Sequence, residues 1–74
     1  MKPVDTKQVR KLLMALGCVV VGTEGSHEKW RTPGGLTDTI VASARQQSPG
    51  LLRNIQRVFE PELGPKWLEK GLSR

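Results

Sequence analysis

The spacing of the apolar residues changes at Gly17, and that change restricts the fold more than any other feature of the chain. Before it, Val9, Leu12, Leu13 and Leu16 recur at i, i+3, i+4 and i+7, the single apolar stripe of a helix with one buried face. Lys7, Arg10 and Lys11 fall on the opposite side. Asp5-Thr6-Lys7-Gln8 opens this segment like a capping box, with an N-cap acid and a Gln three residues on. Gly17 supplies the left-handed stop. After it, Cys18-Val19-Val20-Val21 is a β-rich run too short for a helix and bounded by Gly22. Thr23-Glu24-Gly25-Ser26 reads as a turn, and the chain re-enters a strand from His27 to Thr32. Alternation along that strand puts His27, Lys29 and Arg31 on one face, with Glu28, Trp30 and Thr32 on the other. Pro33-Gly34-Gly35 makes the next tight turn, and Leu36 to Val41 forms a third strand.

Ala42 to Gln47 reads as a polar connection. Ser48 then offers an N-cap hydroxyl and Pro49 a first helical residue, a strong start signal. Leu51, Leu52, Ile55, Val58 and Phe59 lie on one side of the helix that follows, Arg53 and Arg57 on the other, and Pro61 is expected to end it. Pro65-Lys66-Trp67-Leu68-Glu69-Lys70 has room for one or two further helical turns before Gly71. The order helix, strand, strand, strand, helix predicts an α+β two-layer sandwich. In it a three-stranded antiparallel sheet has one wet face and two helices on the other. Residues 1–60 form the domain, and 61–74 a C-terminal extension with a short helix.

At 74 residues the chain holds one small domain with a thin core. Hydrophobic residues make up 36% of it and aromatics 4%, so the core rests on Val, Leu and Ile around Trp30, Phe59 and Trp67. Twelve Lys and Arg against seven Asp and Glu leave a net charge of +5. That surplus suits a polyanionic partner, because each cation set against a phosphate releases a condensed counterion; an anionic membrane surface or an acidic protein partner would also fit, and a solvated, solubilising surface fits equally well. Cys18 is the single cysteine, which excludes an internal disulfide and a thiolate cluster for zinc. Its Val neighbours suggest a small buried hydrophobe. No apolar stretch approaches a signal or membrane-spanning length, so a cytoplasmic protein with no membrane partner is expected. No phosphate-binding glycine loop and no His, Cys and carboxylate cluster with metal spacing is present; neither metal nor cofactor is expected.

Lys11-Leu12-Leu13, Gly17, then Gly25-Ser26-His27 and Trp30 followed by a Pro-Gly turn resemble the HicA family (YcfA-like). Ser48-Pro49-Gly50-Leu51-Leu52-Arg53-Asn54-Ile55 resembles the second-helix signature of that family. The resemblance runs from about Thr6 to Phe59. It implies a toxin of a type II toxin–antitoxin system, linked to stress response, with a double-stranded-RNA-binding-like fold. It further implies an mRNA interferase neutralised by a HicB-type antitoxin: monomeric when free, hetero-oligomeric with that partner. The family's catalytic histidine matches His27, with Gly25 and Ser26 just before it. The chain departs from many relatives after the third strand, where a Pro-His or His-Pro sequence is replaced by Ala42-Ser43-Ala44-Arg45. A second histidine therefore has no counterpart here.

RNA cleavage without a metal needs the 2′-hydroxyl deprotonated, the phosphorane stabilised and the leaving 5′-oxygen protonated. Histidine suits the proton transfer, since its unperturbed pKa lies near operating pH. The expectation is that His27 activates the 2′-hydroxyl while Lys29 or Arg31 stabilises charge on the phosphate. Water or a cation serves as proton donor. Lys7, Arg10 and Lys11 are the cations expected to grip the RNA backbone. Gly25 serves the turn or a close approach to phosphate, and Ser26 binds phosphate or caps the turn. Trp30 is expected in the core, and Trp67 packs on the domain or anchors a partner. The competing functions are an RNA-binding module of the same fold that does not cut, and a pure interaction protein with a basic docking surface.

Overall fold

Gly17 ends the first helix by the route its position suggests. In a computed structural model describing residues 1–73, a two-residue strand β1 (Val4–Asp5) leads directly into helix α1 (Thr6–Ala15). Gly17 then turns left-handed at φ +85. Its N–H donates to the Met14 carbonyl at 3.0 Å and that of Cys18 to the Leu13 carbonyl at 2.9 Å, the paired bonds of a Schellman stop. Cys18 and Leu13, the two residues this motif brings together, are both buried. A Cβ on Gly17 would sit 3.1 Å from Pro33 Cγ. Gly17→Ala is therefore expected to destabilise the fold by about 1–2 kcal/mol, the left-handed penalty for an L-residue, as read from the urea unfolding midpoint.

The strands follow as β2 (Val19–Glu24), β3 (His27–Arg31) and β4 (Thr37–Val41), then β5 (Gln46–Gln47), helix α2 (Pro49–Leu63) and helix α3 (Trp67–Leu72). Strands β2, β3 and β4 pair antiparallel in that order. Thr23 and Glu24, expected in a turn, belong to β2; only Gly25 and Ser26 link it to β3, with Gly25 at φ +59. A register shift between Val20 and Gly22 bulges the edge strand at Val21, and Val19, Val20 and Val21 are exposed. Along β3 the expected alternation holds: Glu28 and Trp30 are buried, while His27, Lys29 and Arg31 face solvent.

The core gathers Val9 and Leu13 of α1, Cys18, Trp30 and Ile40 of the sheet side, Leu52, Ile55 and Phe59 of α2, and Trp67 and Leu68 of α3. Burial, reinforced by the negative charge of Glu62, pushes the Cys18 thiol above its ordinary pKa. Ser48 caps α2 as expected, its Oγ accepting from the Leu51 N–H at 3.2 Å. Among the described residues no helix is long and apolar enough to cross a membrane.

Several local expectations give way to tertiary contacts. Asp5 does not cap α1. Its carboxylate accepts from Gln46 Nε2 at 3.1 Å, because β1 pairs with β5 and sets Asp5 opposite Gln46. The Ala42–Gln47 segment is more than a polar connection. Gln47 is buried, its Oε1 accepting from the Val41 N–H at 3.0 Å. Its Nε2 donates to the Val41 carbonyl at 2.8 Å and to Thr6 Oγ1 at 2.7 Å. Pro61 does not end α2. It lacks the N–H that would bond the Arg57 carbonyl, yet both residues are exposed, where water can take that carbonyl. One residue further, Glu62 accepts from the Gly34 N–H at 2.9 Å and from the Thr32 hydroxyl, tying the last turn of α2 to the β3–β4 turn.

Gly71 does not end α3 either. A Cβ there would come within 2.6 Å of the Leu12 side chain, so the small residue lets α3 lie close on α1. Trp67 stacks on Phe59 with ring centroids 5.9 Å apart and donates from Nε1 to the Gln56 carbonyl at 2.9 Å. The described part of the expected extension thus contributes two core residues; Arg74 lies outside the described residues.

Candidate active site

Strand alternation and a two-residue turn together place His27. The turn makes Glu24 the cross-strand partner of His27, and β4 supplies Val41 as its partner on the other side. His27 thus sits on the solvent face of the sheet, at the end of the central strand. Lys29, two residues on, shares that face and stands between Gly22 of β2 and Thr39 of β4. Because Gly22 carries no side chain there, a depression of about 190 Å³ opens beside the histidine, lined by Gly22, Thr23, Glu24, His27, Lys29 and Thr39. It is an open, shallow hollow lined by an imidazole, an ammonium, a carboxylate and two threonines.

The depression collects His27 and Lys29 but not all of the expected site. Arg31 faces solvent on the same side of the sheet, paired with Val19 and Thr37, and lies outside the lining. Gly25 has the positive φ that the turn requires, and a Cβ on it would meet nothing within 4 Å. The Ser26 side chain is exposed, and its carbonyl accepts from the Ala42 N–H at 2.7 Å. Gly22, Thr23, Glu24 and Thr39 were not legible as lining residues. Thr23 and Glu24 looked like turn residues, and the other two enter only through the pairing register.

Lys7, Arg10 and Lys11 together line a shallow opening along α1. Lys7 and Arg10 also line a second opening of about 430 Å³ with Asp5, Thr6, Ala42, Ala44 and Arg45, which Lys11 does not reach. Arg10 is not a free cation. Its guanidinium lies 3.4 Å from Glu28, a buried carboxylate that also accepts from Trp30 Nε1 at 2.9 Å. A charge on the inner face of the sheet needs such a partner, and α1 supplies it. Arg45 was missed, because only the β1–β5 pairing brings the segment after the third strand against the start of α1. Among the described residues no three of His, Cys, Asp and Glu are grouped to hold a metal ion.

The empty space over Gly22 offers a direct probe of the depression. A Cβ there would meet nothing within 4 Å, and its φ is not in the left-handed region. Gly22→Leu is expected to shift stability by no more than about 0.5 kcal/mol while its side chain fills the hollow. If the hollow holds substrate, cleavage should fall and the melting temperature should not; the two are measured on the same preparation.

The family described as HicA toxin of bacterial toxin-antitoxin matches residues 6–60. Comparison with curated proteins and with solved structures finds no match.

Proposed function

Because this chain belongs to the HicA toxin family of bacterial toxin–antitoxin systems, we propose that it is an endoribonuclease that cuts mRNA with His27 and so arrests translation. The observation that carries this reading is the exposed His27 on the wall of a depression it shares with Lys29. His27 takes the proton of the 2′-hydroxyl, and the 2′-oxygen attacks the adjacent phosphorus. Negative charge grows on the phosphorane oxygens, and the Lys29 ammonium stabilises that charge. The 5′-oxygen then departs and takes a proton from water or a cation. The products are a 2′,3′-cyclic phosphate and a 5′-hydroxyl. Arg31, further along the same face, holds the strand to one side of the cut.

The partner that silences the chain is an antitoxin, as the family implies; we assign it to the HicB type, in a hetero-oligomer with an otherwise monomeric toxin. An mRNA substrate places the reaction in the cytoplasm. The test is cleavage of a defined mRNA in excess EDTA, with wild type beside His27→Ala. Cutting by wild type alone, leaving cyclic-phosphate ends, is the expected result. RNA that is bound but left intact by both proteins would instead make the chain a non-catalytic binding module.

A further inference from the structure

The opening between α1 and the segment after β4 extends the nuclease reading, on which it rests, to how the RNA strand is held. Its two walls are far apart in sequence and are clasped through the backbone. The Thr6 N–H donates to the Arg45 carbonyl at 2.9 Å, Thr6 Oγ1 donates to the Ala44 carbonyl, and buried Gln47 holds Thr6 from behind. This clasp sets Arg45 across from Lys7 and Arg10. Ala42 and Ala44, the small residues of the wall, leave about 430 Å³ of space between them, a volume within the range of ligand sites.

The charges are unequally committed. Arg10 is held by Glu28, and the one acid of the walls, Asp5, is engaged by Gln46 Nε2. Lys7 and Arg45 are exposed and take part in no ion pair among the described residues. With Arg10 set against Glu28, two uncommitted cations, Lys7 and Arg45, face the single carboxylate of the walls, Asp5, and that balance favours an anion. The position favours one that is continuous with the active site: Ala42 follows Val41, the strand partner of His27, and its N–H donates to the Ser26 carbonyl at 2.7 Å. Neighbouring strands lie only about 4.8 Å apart, so the opening begins at the same end of the sheet as the histidine.

We propose that this cleft binds an RNA backbone phosphate flanking the cleaved bond, with Lys7 and Arg45 as its ligands and Arg10 as a third, fixed cation. A strand lying over the His27 depression passes across the end of the sheet and sets its neighbouring phosphodiester between these side chains.

The test is binding of a single-stranded mRNA fragment by fluorescence anisotropy across a salt series. It uses a His27→Ala background so that the RNA stays intact. Lys7→Gln and Arg45→Gln are each expected to lower the slope of log affinity against log salt by about 0.7, and the double variant by about twice that. Arg45→Lys should retain the slope, and Lys70→Gln on α3 should leave it unchanged. With His27 restored, the same glutamine variants should raise KM and largely keep kcat. The clasp uses the backbone of Arg45, so all variants should melt with the parent. Unchanged slopes in the double variant, with RNA still bound there and still cut once His27 is restored, would overturn the subsite alone. Absence of both RNA binding and cutting in the wild type would overturn the nuclease reading and the subsite with it. Loss of antitoxin binding with unchanged RNA slopes would assign the cleft to an acidic protein surface and overturn the proposal.

Discussion

His27→Ala is expected to slow RNA cleavage by about 10²–10⁴-fold, the usual contribution of one positioned general acid or base. The protein should otherwise be unaltered. The imidazole is exposed at the end of β3 and lies outside the core, and exposed substitutions of this kind rarely move stability by more than about 0.5 kcal/mol. RNA affinity should also be nearly kept, because most of it comes from cations set against phosphates, and none of these is removed. The measurement is a single-turnover rate at saturating RNA, with the melting temperature as control. A fall confined to the rate supports proton transfer by His27. Equal rates would remove His27 from the chemistry and leave Lys29 and Glu24 as the ionisable groups of the depression. A weakened affinity with an unchanged rate would make His27 a binding residue.

Trp67→Ala is expected to cost about 3–5 kcal/mol, the range for removing a large buried aromatic. The indole is 5% exposed, stacks on Phe59 and donates to the Gln56 carbonyl. Truncation therefore removes packing, a ring pair and the partner of a carbonyl together. A chain of this size has only about 4–11 kcal/mol of stability in total, on a per-residue basis. Each kcal/mol corresponds to roughly 4–8 °C in melting temperature for a domain of this size, so a drop of more than about 12 °C is expected by circular dichroism. Trp67 lies beyond the family match, which ends at residue 60. A shift below about 4 °C would mean that α3 folds onto the domain without contributing to its cooperative unit.

The same residues show which inferences travel from sequence and which do not. His27 and Lys29 were assigned to one face because strand periodicity is a property of the backbone, independent of what packs around it. The Schellman stop at Gly17 and the Ser48-Pro49 start were legible for the same reason: each is satisfied by groups within a few residues. The capping role of Asp5 was also a local inference, and it failed because Gln46, 41 positions away, competes for the same carboxylate. Pro61 and Gly71 look like helix stops on local grounds. Glu62 and Leu12 override them by rewarding continuation of one helix and close approach of the other.

Local periodicity, turn chemistry and composition therefore determined the order of elements, the solvent-facing position of His27 and the basic character of the surface. Each of these depends on interactions within a few residues or on a simple sum of charges. Only the tertiary structure decided that Arg10 is committed to Glu28, that Gly22 hollows the sheet beside the histidine, and that Arg45 meets Lys7 across a cleft. These depend on strand register and on contacts between segments tens of residues apart. No spacing along the chain encodes such contacts until the apolar faces of three helices have closed on one side of the sheet.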